Sequence, residues 1–181
     1  MNTEIPAAAL SLAAFSIEYC KVVASAETSA PRDFLREVLR YLPRFYVTMS
    51  DLKPYGDDEE ETSSAEYMAT DAVYSTVEEE QYDAVRLIMT RLLGENDMYL
   101  DTAVDDMRYS DTPVAVSLAE KLADIFQNMA DIAASIGQAT PEMIPDILAD
   151  VRYRFATYLS DTICSALRAS NYIYYNADFN E

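Results

Sequence analysis

The stretch VSLAEKLADIFQNMADIAASI, residues 116–136, decides the fold class of this chain. Its large apolar residues follow one another at intervals of four, three, four, three and four positions. They are Leu118, Leu122, Ile125, Met129, Ile132 and Ile136. This spacing puts them all on one face of an α-helix, as in a helix that packs inside a bundle. The stretch therefore predicts a buried bundle helix.

Further stripes of apolar residues and several helix-boundary signals predict four more helices. Prolines 31, 113 and 141 suit first helical turns, and overlapping capping boxes at residues 75–79 suit a helix start. Pro43 lies inside the second predicted helix and predicts a kink, because proline lacks an amide hydrogen. The predicted helices span about residues 6–27, 31–52, 77–93, 113–137 and 141 onward. No strand of useful length is predicted.

These elements favour an all-α, mainly antiparallel bundle of about five helices. The simplest division of the 181 residues is a single domain over residues 1–181. Two segments break the helical pattern. Residues 54–69 contain five consecutive acids and predict a solvated acidic loop, and residues 171–181 predict a short aromatic tail.

The composition excludes several classes of function. Thirteen basic residues face thirty-two acidic ones, a net charge of −19, which disfavours direct binding to nucleic acid and to anionic membranes. The chain has no histidine, which removes the commonest general base and transition-metal ligand. Cys20 and Cys164 lie far apart among apolar residues and predict buried free thiols, with a disulfide as the alternative. With neither a signal peptide nor a membrane span expected, we predict a cytoplasmic protein.

Four further motifs are Leu42 to Tyr46, Leu93-Gly94 with Asp97 and Tyr99, Ser117 to Phe126, and Ala166 to Ala169. Together these motifs resemble a bacterial family of unknown function, DUF5063. They occur in order over about residues 35–170. The resemblance implies an all-helical domain and implies no activity. The chain departs from the family pattern at Phe155 to Thr162, where it carries no histidine.

Two clusters are candidates for binding a partner. Arg32, Arg36, Arg40 and Arg44 recur every four residues on one side of the second helix. They form either a solvated face paired with nearby acids or a basic ridge for a carboxylate- or phosphate-bearing partner. Tyr172, Tyr174 and Tyr175 either fold back onto the bundle or form an exposed aromatic contact site.

Two groups of acids are candidates for other roles. Asp97, Asp101 and Asp105 recur every four residues, so on a helix they would present three carboxylates to a hard cation such as Mg²⁺ or Ca²⁺. The alternative is an exposed acidic segment. Glu120, Asp124 and Asp131 flank the residue 116–136 stripe, where we expect the aspartates to pair with Arg152, Arg154 or Arg168.

The leading prediction is a non-enzymatic protein-protein interaction module that needs no cofactor. One alternative is a divalent-metal-dependent hydrolase or transferase acting on a phosphorylated small molecule. That alternative requires acids from two helices to converge on a cavity. A second alternative is a nucleic-acid mimic, which requires the acids to cover one continuous face. The sequence indicates no oligomeric state.

Overall fold

A computed structural model describes residues 5–52, 71–101 and 113–179 of the chain. The predicted loop at 54–69 lies outside these residues. The helices are α1 (Ala7–Ala24), α2 (Pro31–Ser50), α3 (Glu79–Leu93), α4 (Leu118–Gln138), α5 (Ile144–Arg154) and α6 (Ser160–Asn176). A π-helical segment, Phe155–Leu159, joins α5 to α6. The all-helical fold class is therefore confirmed.

Helix α4 is the central element of the bundle. All six apolar residues of its stripe are buried, and α4 packs against α1, α3 and α6. Three polar residues of α4 are buried as well, namely Asn128, Asp131 and Ser135. A helix that is buried on more than its apolar stripe must have neighbours on several sides. This explains why α4 has the strongest sequence signal.

The last two helices form one continuous rod with the π-helical segment between them. The extra residue of a π-turn rotates the helix face, which shifts the buried stripe by one position. Leu159 is accordingly fully buried, whereas Tyr158 is exposed. Helix α6 continues to Asn176, so residues 171–176 form its last turns. The predicted aromatic tail is therefore wrong for these residues.

The structure contains a two-stranded antiparallel sheet that the sequence analysis does not predict. Strand β1 (Met98–Asp101) pairs with β2 (Val114–Ser117), with Met98 opposite Ser117 and Asp101 opposite Val114. Helix α4 therefore begins at Leu118, after an N-cap at Ser117, and the predicted start at Pro113 is wrong. Each strand has only four residues, too few for a clear alternating pattern.

The starts of α3 and α5 also differ from those predicted from the sequence. Helix α3 begins after Glu78, which makes no side-chain capping bond. Thr76 instead donates from its amide and hydroxyl to Asp131, at 2.7 and 2.9 Å, so the predicted capping boxes are wrong. Helix α5 begins at Ile144, not at Pro141. Pro43 lies inside α2, and the kink there stays a prediction.

Candidate binding surface

Strand β1 alternates between residues that face the bundle and residues that face outward. Met98 and Leu100 are 56% and 63% exposed, whereas Asp101 is only 3% exposed. Successive side chains of a strand point to opposite sides, so Met98 and Leu100 lie on one side of β1, and Tyr99 and Asp101 lie on the other. The strand therefore presents two large apolar side chains away from the core.

The inward side of β1 is tied to α6 by a polar cluster. Asp101 accepts hydrogen bonds from the hydroxyl of Ser165 and, at 3.0 Å, from the guanidinium of Arg168. The Tyr99 hydroxyl donates to Asp101 at 3.4 Å, and burial raises the pKa of Tyr99. The Arg168 guanidinium also lies 6.0 Å from the centre of the Tyr99 ring. These contacts fix the position of the hairpin on the bundle.

Asp97 fixes the hairpin at its other end. Its carboxylate accepts from the amide of Ala119 at 2.7 Å and from the hydroxyl of Ser117 at 2.9 Å. Both donors belong to the first turn of α4 or its N-cap, where backbone amides lack helical partners. A carboxylate is favourable at this position. Asp97 therefore joins the end of α3 to the start of α4.

The predicted cation site is not supported by this arrangement. Asp97 lies at the end of a short 3-10 turn and Asp101 ends a strand, so the helical spacing assumed for them is wrong. Asp105 lies outside the described residues. Within residues 5–52, 71–101 and 113–179, no group of three or more cysteine or carboxylate side chains is placed to hold a metal ion.

A cavity of about 610 Å³ opens between β1 and the second half of α6. Most of its lining is apolar, and three of its apolar side chains are more than half exposed: Met98, Leu100 and Tyr172, the last at 69%. The lining residues are Glu95, Asn96, Met98, Tyr99, Leu100, Arg168, Ala169, Tyr172 and Ile173. We call this region the β1–α6 surface. Its size and apolar walls fit the side chains of a ligand.

Two of the described residues that line the β1–α6 surface are charged, and they differ in their partners. Arg168 is paired with buried Asp101 and also donates to the carbonyl of Leu100 at 3.4 Å. Glu95 is exposed and makes no ion pair with any residue in the described ranges. The positive charge at the cavity is therefore balanced from within the protein, whereas the negative charge faces solvent.

The four predicted arginines lie on the exposed side of α2, and none of them lines the β1–α6 cavity. Arg36 pairs with Asp33 at 3.0 Å, and Arg40 pairs with Glu37 at 3.0 Å. The end members rest on aromatic rings instead: Arg32 on Tyr174 at 5.4 Å, and Arg44 on Phe15 and Tyr41, both at 5.8 Å. These partners match the solvated-face alternative for this cluster.

The three predicted tyrosines occupy different surroundings. Tyr172 is exposed and lines the β1–α6 surface. Tyr174 is partly buried and packs edge-on against Tyr175, with 4.8 Å between the ring centres. Tyr175 is as exposed as Tyr172, at 69%, but does not line the cavity. Only Tyr172 of this group contributes to the candidate surface, and its partner-binding role stays a prediction.

The acids beside the α4 stripe do not pair with the arginines that we expected. Asp124 accepts from the Tyr82 hydroxyl at 2.7 Å, and burial raises the pKa of its carboxyl. Asp131 is buried and binds Thr76. Arg154 pairs with Asp150 at 3.3 Å instead. The expected pairing is therefore wrong, because Asp124 and Asp131 bind neutral donors on α3 and the segment that precedes it. Glu120 is exposed in the first turn of α4.

The two cysteines are free, and their surroundings differ. Cys20 is partly buried, and burial raises the pKa of its thiol to about 11. Cys164 is exposed, so the prediction that both thiols are buried is wrong for this residue. Cys164 lies on the face of α6 that points away from the bundle. The apolar residues next to it in the sequence do not indicate which face it occupies.

The helical stretch Ala7–Glu27 is long and apolar enough to cross a membrane by length and composition, although the sequence analysis expects no span. A bundle helix can have the same length and composition, and 28% of this apolar window is buried inside the bundle. Tyr19 in this stretch is fully buried and donates from its hydroxyl to the carbonyl of Leu122 in α4, at 3.1 Å. We therefore describe α1 as a bundle helix.

Most of the β1–α6 surface was not predicted from the sequence. Met98 and Leu100 were not candidates, and Arg168 was expected only to pair with the aspartates of α4, because the cavity depends on how the hairpin packs against α6. Arg168 and Asp101 are 67 positions apart, and no local pattern brings them together. The one local signal was a three-residue alternation, in which Met98 and Leu100 face outward and Tyr99 between them faces inward.

Comparison with known proteins places the fold in a family. The family described as "Domain of unknown function (DUF5063)" matches residues 3–176. The crystal structure of protein BF1032 from Bacteroides fragilis is 20% identical and similar in fold, with a TM-score of 0.75 over 99% of this chain and 100% of that one. No match was found among curated proteins.

Proposed function

This chain belongs to the DUF5063 family, and we propose that it is a non-enzymatic interaction module that binds another protein through its β1–α6 surface. The observation that carries this proposal is the grouping of Met98, Leu100 and Tyr172 around one cavity, each more than half exposed. Scattered exposed apolar residues are normal on protein surfaces, but a contiguous group around a concave site marks an interface.

The residues at this surface suit binding better than catalysis. Tyrosine and methionine are enriched at protein interfaces, because each offers a large contact area that adapts to a partner. Among the described residues that line the cavity, Glu95 has the only carboxylate. A metal-dependent hydrolase would need several carboxylates aimed at one point. No observation on the described residues favours the hydrolase or nucleic-acid-mimic alternatives.

The surface is also held in a fixed position, which lowers the entropic cost of binding. Asp101 joins β1 to Ser165 and Arg168 of α6, and Asp97 joins the start of β1 to the first turn of α4. A partner would meet a preformed site. We propose a cytoplasmic location, which the two free thiols suit.

The proposal is tested by comparing two double variants in an affinity capture from native bacterial lysate. Leu100→Ser with Tyr172→Ser removes the exposed apolar groups of the surface. Leu87→Ser with Tyr175→Ser is the matched control, because Leu87 and Tyr175 are 43% and 69% exposed and lie outside the cavity.

We expect the wild type and the control to retain a common protein that the surface variant loses. The proposal fails if the surface variant retains the same proteins as the wild type. It also fails if the wild type captures nothing above background and a metal ion or nucleotide sharply raises its melting temperature.

A further inference from the structure

We propose that the β1–α6 surface binds a short basic segment of its partner, in which apolar side chains alternate with arginine or lysine. This inference rests on the proposed function and names the class of occupant. Met98, Leu100 and Ile173 would receive the apolar side chains, and Glu95 and Tyr172 would receive the cationic ones.

The charge of the surface favours a cation. Arg168 is the only basic residue among the described residues of the lining, and its guanidinium is 3.0 Å from the carboxylate of buried Asp101. Binding an acidic ligand there would compete with Asp101, whose burial without Arg168 would be costly. Glu95, by contrast, has no cationic partner in the described ranges and is available to a ligand.

The tyrosines add a second reason. The face of an aromatic ring attracts cations. The Tyr99 ring is already within 6.0 Å of the Arg168 guanidinium, whereas the Tyr172 ring is 69% exposed. A basic side chain therefore has an open ring beside it and a carboxylate in the same cavity. The net charge of −19 adds long-range attraction for the same kind of partner.

The structure also indicates how the segment would be held. The carbonyl of Leu100 already accepts a hydrogen bond from Arg168 at 3.4 Å, so a partner strand that paired at Leu100 would have to share that carbonyl with the arginine. Insertion of side chains into the cavity does not involve that carbonyl. We therefore infer recognition of side chains in a groove, as opposed to addition of a third strand to the sheet.

The test measures the anisotropy of a fluorescein-labelled hexapeptide of alternating leucine and arginine, with blocked ends, on the full chain. Its twins carry glutamine or glutamate in place of arginine. We expect the arginine peptide to bind at least about tenfold more tightly than the glutamate twin, and its affinity to fall as salt rises. Leu100→Ser with Tyr172→Ser should abolish binding, and Leu87→Ser with Tyr175→Ser should not.

Two single variants separate the local charge from the net charge. Glu95→Gln should weaken binding of the arginine peptide about threefold and leave the glutamine twin unchanged, because the lost contact is a solvent-exposed ion pair. Glu80→Gln removes the same charge from exposed Glu80 of α3, outside the cavity, and should have no effect. Equal effects of the two variants would overturn the inference, since only net charge would then matter.

The inference and the proposed function fail in different ways. If lysate proteins depend on Leu100 and Tyr172 but the glutamate twin binds as well as the arginine peptide, the function stands and the basic occupant is wrong. If the surface variant loses neither lysate proteins nor the peptide, both are wrong.

Discussion

The α4 stripe and the β1–α6 surface contain similar apolar residues in opposite environments. Leu122 and Met129 of α4 are fully buried, whereas Leu100 and Met98 of β1 are 63% and 56% exposed. The bundle accounts for the first pair completely, because their burial is what holds the helices together. The described fold leaves more than half of each side chain of the second pair exposed. The difference separates residues that explain the fold from residues that require another explanation.

The largest expected effect is a difference in stability between substitutions in the two regions. Leu122→Ala should lower the free energy of unfolding by about 2–5 kcal/mol, because it leaves a cavity in the core. Leu100→Ala removes the same atoms from an exposed position and should change that free energy by no more than about 0.5 kcal/mol. Chemical denaturation of both variants measures the two values. Similar losses would mean that Leu100 belongs to the core.

The next effect concerns Asp97, which connects the two regions. Asp97→Ala should lower the free energy of unfolding by about 1–3 kcal/mol, because the buried amide of Ala119 loses its acceptor. Asp97→Asn keeps an oxygen acceptor and should lower it by less. Thermal melting in the presence of Mg²⁺, Ca²⁺ or a chelator should give the same midpoint for the wild type. A metal-dependent midpoint that Asp97→Ala abolishes would restore the cation-site alternative.

A smaller effect depends on pH and concerns Asp124, at the edge of α4. Burial raises the pKa of this carboxyl above its ordinary value of 3.8, so the folded state holds the proton more tightly than the unfolded state. The stability of the wild type relative to Asp124→Asn should therefore fall as the pH rises above 3.8. Urea denaturation of both proteins over a pH series measures this difference. A relative stability that rises with pH contradicts the assignment.

The smallest expected effect concerns the β1–α6 surface itself. Tyr172→Ser should change the free energy of unfolding by less than about 0.5 kcal/mol, because its ring is 69% exposed. Tyr175→Ser, the comparison variant, also loses the edge-on contact with Tyr174 and should lower that free energy by about 1 kcal/mol or less. Only Tyr172→Ser should weaken partner binding, since Tyr175 does not line the cavity. Differential scanning calorimetry together with peptide anisotropy separates these two properties. A large loss of stability for Tyr172→Ser would indicate a structural role.

The sequence predicted the bundle well, because a long helix repeats its buried positions many times. The α4 stripe contains six such positions in nineteen residues, and all six are buried. The hairpin was missed because each strand repeats its pattern only twice, and Pro113 before β2 looked like a first-turn proline. The capping boxes predicted for α3 were wrong because Thr76 binds Asp131, a residue 55 positions away that no local pattern indicates.

The candidate surface was less accessible to prediction than the fold. Tyr172 was identified through the local concentration of aromatic residues, but Met98, Leu100 and Glu95 acquire their meaning only where β1 meets α6. The arginines of α2 had the more regular pattern, and their own acids and aromatic rings occupy them. Regular spacing indicates a helix face, whereas a binding site depends on contacts between distant segments.

The central claim is that the exposed apolar residues of β1 bind a basic segment while those of the bundle do not. Methyl NMR of the methionines tests it most directly, because Met98 is exposed at the surface, Met143 is exposed elsewhere at 48%, and Met129 is buried. On titration with the leucine–arginine hexapeptide, we predict a saturable shift of the Met98 resonance and constant Met143 and Met129 resonances. Equal shifts of Met98 and Met143, or no shift of Met98, would contradict the claim.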